Sequence, residues 1–522
     1  MSFAGPENDL KLFEALDRAA RRHPQVTAYI DGERGFSFGQ AAQASEHLAV
    51  ALLDMGLRRG GRIALLSPNR IEWLQLFFAA ARIGVAVVAL SPRYRDSELA
   101  FMLADSACQA VFTVEQVDDF DCASMFERLA PQLPAPQLPA LRQVVTFDGA
   151  RFAEMAATPV RRPLLDDASA QVQADDLAMV IYTSGTTGRP KGCALTHASM
   201  LASAWGQSQH TGVRPGELLQ LGNPLNHVGG ITCGVLAQLL AGGSCELVGT
   251  FKAQTVLDMI RRHPPALLVG VPTMLTLLLM HPSSASVDLD SVRLIVTGGS
   301  NADATLLGQL KARMPTATVM NLYGLSESSG ALVMSPADCA DDDLMQAIGQ
   351  PLQGVEVQVL APGGTVLPHG EIGELCFRGL GVVRGYIGAA AASGAFADGW
   401  LHTGDLGMVD ARGFITLKGR MKDMYIQGGF NVYPAEVEAL IASHPGVLMV
   451  AGIGVPDPVL GEVGRYFVVP REGISLSVDA LLAHCAGRIA DYKMPRQIVL
   501  REQLPLTPAG KIHKAKLRDE AV

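Results

Sequence analysis

Short apolar runs alternate with longer amphipathic stretches along most of this 522-residue chain, and that rhythm limits what it can fold into. Phe38–Met55 reads as a helix, Arg62–Leu66 as a strand, Trp73–Ile83 as a helix and Ala86–Leu90 as a strand; Arg95–Asp105 and Ala110–Val114 repeat the pair. Strands separated by helices are joined by crossovers, so they form mostly parallel sheets covered by helices. The rhythm resumes with strands at Leu218–Gly222, Ser244–Val248, Leu267–Val271, Val292–Thr297 and Thr318–Leu322. Helices at Gly229–Leu240, Ala253–Arg262, Thr273–Met280 and Ala302–Met314 lie between them. Pro131–Pro139 is too proline-rich for a regular element and reads as an extended surface connection.

From about residue 350 the pattern changes to short strands with Gly/Pro turns, such as Val355–Leu360 and Glu374–Arg378. The end of the chain starts afresh with strands at Phe414–Leu417, Val447–Val455 and Arg465–Val469 and helices at Pro434–Ser443 and Val478–Ala490. A chain this long exceeds one core. The expected class is α/β: doubly wound sheets plus a β-rich subdomain in a large N-terminal domain, 1–417, and a small mobile α+β domain, 424–522. Between them Lys418–Asp423 is polar and outside any apolar pattern, as a hinge would be.

One loop stands out. Tyr182–Gly192, Tyr-Thr-Ser-Gly-Thr-Thr-Gly-Arg-Pro-Lys-Gly, follows the apolar run Leu177–Ile181 and reads as leading into a helix at Leu195–Gln209. Glycines 185, 188 and 192 let backbone N–H groups approach an anion. The hydroxyls of Thr183, Ser184, Thr186 and Thr187 can donate to phosphate oxygens, and Lys191 adds a point charge. It is not a Walker loop, because Pro190 precedes Lys191 and Gly192 follows it. The bland alternative is a Ser/Thr/Gly-rich surface loop.

Composition excludes several classes. The net charge of −9, without a long basic run, argues against nucleic acid or an anionic membrane as the main partner. The eight cysteines form no C-x-x-C pair, so a zinc site or disulfide framework is unsupported and a reducing compartment is expected. Met1–Leu10 is too polar for a signal peptide, and Leu267–Met280 is too short to span a bilayer. A cytoplasmic protein is expected.

Ligands of open α/β sheets gather at the carboxyl ends of strands. Three such ends carry suitable residues: Thr183–Lys191, Gly298–Ser300 and Tyr323–Glu327. Glu327, read as lying just past a Tyr323-Gly324 turn, could hold Mg²⁺, which takes one or two carboxylates plus phosphate oxygens; a lone acid there would more often be solvated or cap a helix. Asp405, in Trp400–Asp405, could bind two ribose hydroxyls or simply form an Asx turn. Arg420, Lys422 and Lys511 would ordinarily be solvated, Gly428-Gly429 could be a plain turn, and a lone His227 would ordinarily be structural.

In order and spacing, however, Tyr182–Gly192, Tyr323–Glu327, Thr403–Asp405, Gly419–Lys422 and Pro508–Lys511 resemble the motifs of the acyl-adenylate-forming enzymes. The resemblance extends from about residue 10 to 517, and acyl- and aryl-CoA synthetases are the nearest type. It implies conversion of a carboxylate and Mg-ATP to acyl-AMP and pyrophosphate, then transfer of the acyl group to a thiol. The resemblance puts Thr183, Ser184, Gly185, Thr186, Thr187, Gly188 and Lys191 around the β/γ-phosphates, Glu327 on Mg²⁺ and Ser326 on the α-phosphate. Gly299, Asn321, Tyr323 and Gly324 would frame the adenine, and Asp405 and Arg420 would take the ribose. Lys511 would bridge the substrate carboxylate and α-phosphate. Lys422 would be the pivot about which the small domain turns, withdrawing Lys511 and bringing Gly428-Gly429 to the thiol channel. His227 would close the acyl pocket until the thiol arrives.

Three positions depart from the family pattern: Asn226 stands where an aromatic is usual, Gly298–Asn301 replaces Gly-Gly-Ala-Pro, and Lys514 stands where Arg is common. No acid follows His227 to pair with a substrate ammonium, which disfavours amino acids. Small residues at Val228, Gly229 and Ser300, and at Ser328, Gly330 and Ala331, suggest a roomy neutral pocket for an aryl or medium-chain acid. Coenzyme A is the expected acceptor. The alternatives are a ligase loading a carrier protein and an inactive adenylate-binding regulator.

Overall fold

A computed structural model describes residues 9–118, 120–129, 133–183, 190–299, 302, 304–388, 394–507 and 511–520. Two large sheets form the centre. One runs in the order 350–351, 330–334, 318–325, 294–298, 267–270, 218–221, 244–247, 27–31, 34–37. Its five pairings from Thr318–Leu325 to Thr27–Asp31 are all parallel, as the strand–helix alternation requires. The other sheet runs 191–196, 177–183, 86–90, 62–66, 110–113, 143–146 and is parallel apart from its first pair. Strand Ala86–Leu90 is buried at every position, as expected of a parallel strand covered on both faces.

Helices Phe38–Asp54 and Ile71–Arg82 pack on each other, the second against strand 86–90, with Phe38, Trp73, Phe77 and Phe78 fully buried. The first is stopped cleanly at its start by a capping box: Gln40 N–H donates to Ser37 Oγ, and Ser37 N–H donates to Gln40 Oε1. The β-rich region is an antiparallel sheet of 355–360, 373–379, 400–409 and 396–397, with 415–420 joined to 400–409. The final sheet, 430–432, 425–427, 461–470 and 447–457 with 497–500 beside 461–470, packs on helices Pro434–Ala442 and Val478–Cys485.

Five details differ from the sequence reading. The loop after Thr183 does not lead into a helix. It joins antiparallel strands, Lys191 opposite Thr183 and Gly192 opposite Tyr182, and the helix begins at His197. Gly192–Leu195 is small and apolar enough to extend the sheet, and Thr196 stops it by accepting the Ser199 N–H at 3.0 Å. There is no turn at Tyr323-Gly324: that strand runs on to Leu325 and turns at Ser326–Ser328. Strand Ile415–Arg420 runs through half of the polar 418–423 segment, because its backbone bonds to 400–409 do not depend on apolar side chains. The helix from Val478 ends at Cys485, short of Ala490; Gly487, with φ of 69°, lies just beyond. In the proline-rich connection, Ala135 and Leu138 are buried in the core, so the segment is not a purely surface strap.

Candidate active site

The register of the β-rich sheet builds the first half of the site. Asp405 lies directly opposite Arg420 in adjacent antiparallel strands. Arg420 Nε contacts Asp405 Oδ1 at 2.9 Å, and Tyr323 Oη donates to Asp405 Oδ2 at 2.7 Å. Tyr323 comes from the large parallel sheet, so one buried carboxylate joins the two sheets. Burial and the neighbouring Asp405 charge push the Tyr323 phenol well above its ordinary pKa, so it remains a donor. Thr403 Oγ accepts the Asp405 N–H at 3.0 Å and donates to the Leu375 carbonyl at 2.7 Å, fixing the bend before the strand continues.

Lys511 reaches this cluster from the end of the chain. Its own loop is closed by the Thr507 N–H donating to the Lys511 carbonyl at 2.6 Å and by the Lys511 N–H donating to Thr507 Oγ at 3.1 Å. Its side chain lies on Gly299, whose φ is 82°: a Cβ there would sit 3.4 Å from Lys511 Cε. Burial, and then the Arg420 charge, lower the Lys511 pKa, while Asp405 and Glu327 oppose that fall. The ammonium therefore lies within electrostatic reach of two carboxylates and a guanidinium.

Glu327 occupies the turn after Leu325, with buried Ser326 beside it. Tyr386 Oη donates to Glu327 Oε1 at 2.8 Å. The same ring lies under Lys191, with Nζ 5.3 Å from its centroid. Cys193 is buried nearby; desolvation first, then the Glu327 charge, keep its thiol protonated. A carboxylate with one oxygen tied and a cation alongside fits Mg²⁺ shared with phosphate oxygens. Thr183 stands at the head of the loop, its hydroxyl 3.5 Å from the Lys191 carbonyl. Ser184, Gly185, Thr186, Thr187 and Gly188 lie outside the described residues, as does Ser300.

His227 heads the segment Val228–Ala241, which is helical but not uniformly α: Ile231–Leu236 is a π-turn. Its Nδ1 accepts the Gly229 N–H at 3.1 Å. Burial first, and then Lys511, lower the imidazole pKa to about 3, so the ring is neutral. Asn226, in place of an aromatic, donates to the Leu90 carbonyl at 3.1 Å.

Several expected residues are engaged elsewhere. The Asn321 amide donates to the carbonyls of Leu344 and Ala347 at 2.8 and 3.2 Å, holding the end of a short helix. Ser328 is fully buried and donates to the Leu325 and Gly330 carbonyls, and Ala331 is buried too. A Cβ on Gly330 would meet Ser203 Oγ at 2.8 Å and one on Gly324 the Gly330 carbonyl at 2.0 Å, so small residues here permit close packing rather than a roomy pocket. Lys514 pairs with Glu438 at 2.6 Å. Gly428 and Gly429, with φ of 59° and 86°, form an exposed hairpin turn; among the described residues nothing joins them to the Lys511 cluster. Lys422 is exposed just after the strand ending at Arg420. Sequence reasoning missed Tyr386 and Cys193. Tyr386 is 59 residues from Glu327, and no local pattern links the two.

Residues 16–387 match the family described as AMP-binding enzyme, and residues 436–511 match the AMP-binding enzyme C-terminal domain. The 3-[(3aS,4S,7aS)-7a-methyl-1,5-dioxo-octahydro-1H-inden-4-yl]propanoyl:CoA ligase of Mycobacterium tuberculosis is 35% identical, over 98% of this chain and 99% of its own. A feruloyl-CoA synthase from Amycolatopsis sp is 34% identical, over 96% and 97%. Among solved structures, an anthranilate CoA ligase in complex with anthranoyl-AMP superposes with a TM-score of 0.89 at 26% identity, over 98% of this chain and 97% of that one. The chain belongs to the AMP-binding enzymes and is an AMP-forming acid–thiol ligase.

Proposed function

We propose that this enzyme activates an aryl or medium-chain carboxylic acid with Mg-ATP and passes the acyl group to coenzyme A. The observation that carries the reading is Lys511: a lysine close to the end of the sequence packs on Gly299, far from it in sequence, within electrostatic reach of Asp405, Arg420 and Glu327. A carboxylate is a poor electrophile because its leaving group would be oxide. In the first step its oxygen attacks the α-phosphorus of ATP and pyrophosphate departs. In the second, a thiol sulfur attacks the acyl carbon, AMP departs with the bonding pair and the thiol proton is lost.

Each step needs charge met where it develops. Lys511 is suited to span the attacking carboxylate and the α-phosphate, with Ser326 donating a hydroxyl. Asp405, oriented by Tyr323 and Arg420, is suited to two ribose hydroxyls. Tyr323 and Gly299 would flank the base; Asn321, whose amide donors are engaged, would support that wall without donating through its amide N–H groups. Thr183 and Lys191 belong with the outer phosphates together with the loop between them. Glu327 would hold Mg²⁺, which supplies charge neutralisation on the phosphates. Neutral His227 is suited to shield the acyl pocket without adding a charge.

The second step would use a different arrangement. We infer that segment 418–423, with Lys422 as pivot, lets 424–522 turn as a unit, withdrawing Lys511 and presenting Gly428-Gly429 to the thiol. Relatives named for ferulic, anthranilic, medium-chain and long-chain acids support an aryl or aliphatic acid. Among the described residues no helix is long and apolar enough to cross a membrane, and all eight cysteines are free; with ATP and coenzyme A as substrates, this supports a cytoplasmic setting.

The test is pyrophosphate release from Mg-ATP across a panel of aromatic and aliphatic acids, with and without coenzyme A. Release with formation of the CoA thioester is expected. Acyl-AMP formed without thioester would give the second step to a carrier protein. No acid-dependent release would sink the reading.

A further inference from the structure

We propose that Tyr386 is a positioning residue that locks the metal-binding carboxylate and the phosphate-binding cation into one register. The proposal rests on the adenylation reading above. The tyrosine has two working faces. Its hydroxyl donates to Glu327 Oε1 at 2.8 Å, and its ring carries Lys191 Nζ 5.3 Å from the centroid. Glu327 belongs to the turn between Leu325 and Gly330, and Lys191 to the edge strand of the other sheet. The strand and the turn touch, and the Cys193 thiol bonds to Glu327, but it is Tyr386 that contacts both the Glu327 carboxylate and the Lys191 ammonium.

The backbone that presents Tyr386 is itself fastened to both sides. Tyr386 forms an antiparallel bridge with Cys193; the Ala194 N–H donates to the Gly385 carbonyl at 3.2 Å and the Ile387 N–H to the Gly192 carbonyl at 2.8 Å. On the other side the Val383 N–H donates to the Glu327 carbonyl at 2.9 Å. Gly388 lies so close to Asp105 that a Cβ would sit 2.0 Å from Oδ1, and Asp105 also accepts the Tyr182 hydroxyl at 2.8 Å. Phe396 packs edge-on against the Tyr386 ring at 5.4 Å. The ring is thus held on a short strap sewn to the loop strand and to the carboxylate's turn. The hydroxyl engages one carboxylate oxygen, which orients the other for a hard cation.

The two faces separate experimentally. Tyr386→Phe keeps the ring, and with it the Phe396 contact and the shelf for Lys191, and removes only the hydroxyl. Mn²⁺ serves as the probe, its binding to enzyme with α,β-methylene-ATP read by electron paramagnetic resonance. With an unchanged melting temperature, Tyr386→Phe is expected to weaken Mn²⁺ binding about five-fold, the effect of one hydrogen bond. KM for ATP at saturating Mg²⁺ is expected to stay at the wild-type value. Tyr386→Leu, which also removes the shelf, is expected to raise that KM by roughly two- to five-fold, as for loss of a cation–π contact. Unaltered Mn²⁺ affinity in Tyr386→Phe overturns the proposal, whatever Tyr386→Leu does to folding. Wild-type enzyme that binds no Mn²⁺ with the nucleotide overturns the adenylation reading instead.

Discussion

Lys511 is where sequence and environment disagree most. A lysine near a chain end is ordinarily solvated at full charge, yet here burial and Arg420 lower its pKa. If the protonated amine does the work, lowering the pKa moves deprotonation to lower pH. The kcat/KM profile for adenylation, which reports the free enzyme, should then fall on an alkaline limb below the usual lysine value of 10.5. Lys511→Arg should move that limb out of range; a limb that stays in Lys511→Arg would belong to another group. Lys511→Ala should slow adenylation by roughly 10²–10³, the size of losing one preorganised electrostatic group, and spare thioester formation from supplied acyl-AMP. Equal loss in both half-reactions would refute a role confined to the first. His227 gives the opposite expectation. With a pKa near 3 its ring is neutral throughout the range from about pH 5 to 8 in which histidine usually titrates. Its ring-proton NMR shift should be flat there, and an inflection near 6.5 would contradict the burial seen. The sequence marked both residues through family resemblance. Their protonation could not be read there, because it depends on contacts such as that between Lys511 and Gly299 across the chain.

At the level of elements, the site hangs on two chain reversals, Thr183 to Lys191 and Leu325 to Gly330. The second is packed backbone to backbone. A Cβ on Gly324 would lie 2.0 Å from the Gly330 carbonyl, which has no side chain to rotate away. Gly324→Ala should therefore destabilise the enzyme by about 1–3 kcal/mol, the cost of overpacking, and should displace Glu327. A melting temperature equal to wild type would refute that packing. Strands such as Arg62–Leu66, Ala86–Leu90 and Val355–Leu360 were legible to the residue, because apolar runs between turn signals define them. The hairpin at Lys191–Thr196 was not: Gly192-Cys193-Ala194-Leu195 can join either a strand or a helix, and pairing with 177–183 decides. Ser328 and Ala331, expected to line a pocket, are buried, and here too the residue type is ambiguous. A small residue can line a void or permit contact, and only its neighbours tell which.

Across the whole molecule, the small C-terminal sheet is attached through a short stretch after Arg420. The Asp423 and Met424 N–H groups donate back to the Arg420 carbonyl at 3.0 and 3.1 Å, the Met421 N–H donates to the Gly404 carbonyl at 2.8 Å, and Arg518 pairs with Asp423. Proline at the intended pivot fixes φ there and restricts the residue before it. Lys422→Pro should accordingly slow thioester formation roughly ten-fold or more while leaving pyrophosphate release nearly intact, as expected when a conformational step is obstructed. Loss of adenylation alone would point to a pivot elsewhere. The polar stretch was visible in the sequence. That a strand runs halfway into it was not, because antiparallel pairing depends on backbone and on a partner strand that composition does not identify.

That strand ends at Arg420, which holds Asp405 and immediately precedes the turn into the small sheet. On the proposed roles, the grip on the sugar and the root of the moving part would be one residue. Linkage would then be unavoidable: whatever factor the arrangement of the two parts contributed to nucleotide affinity, the nucleotide would return to that arrangement. Occupancy by AMP would act as a signal as well as a product, and its departure would reset the enzyme for another turnover.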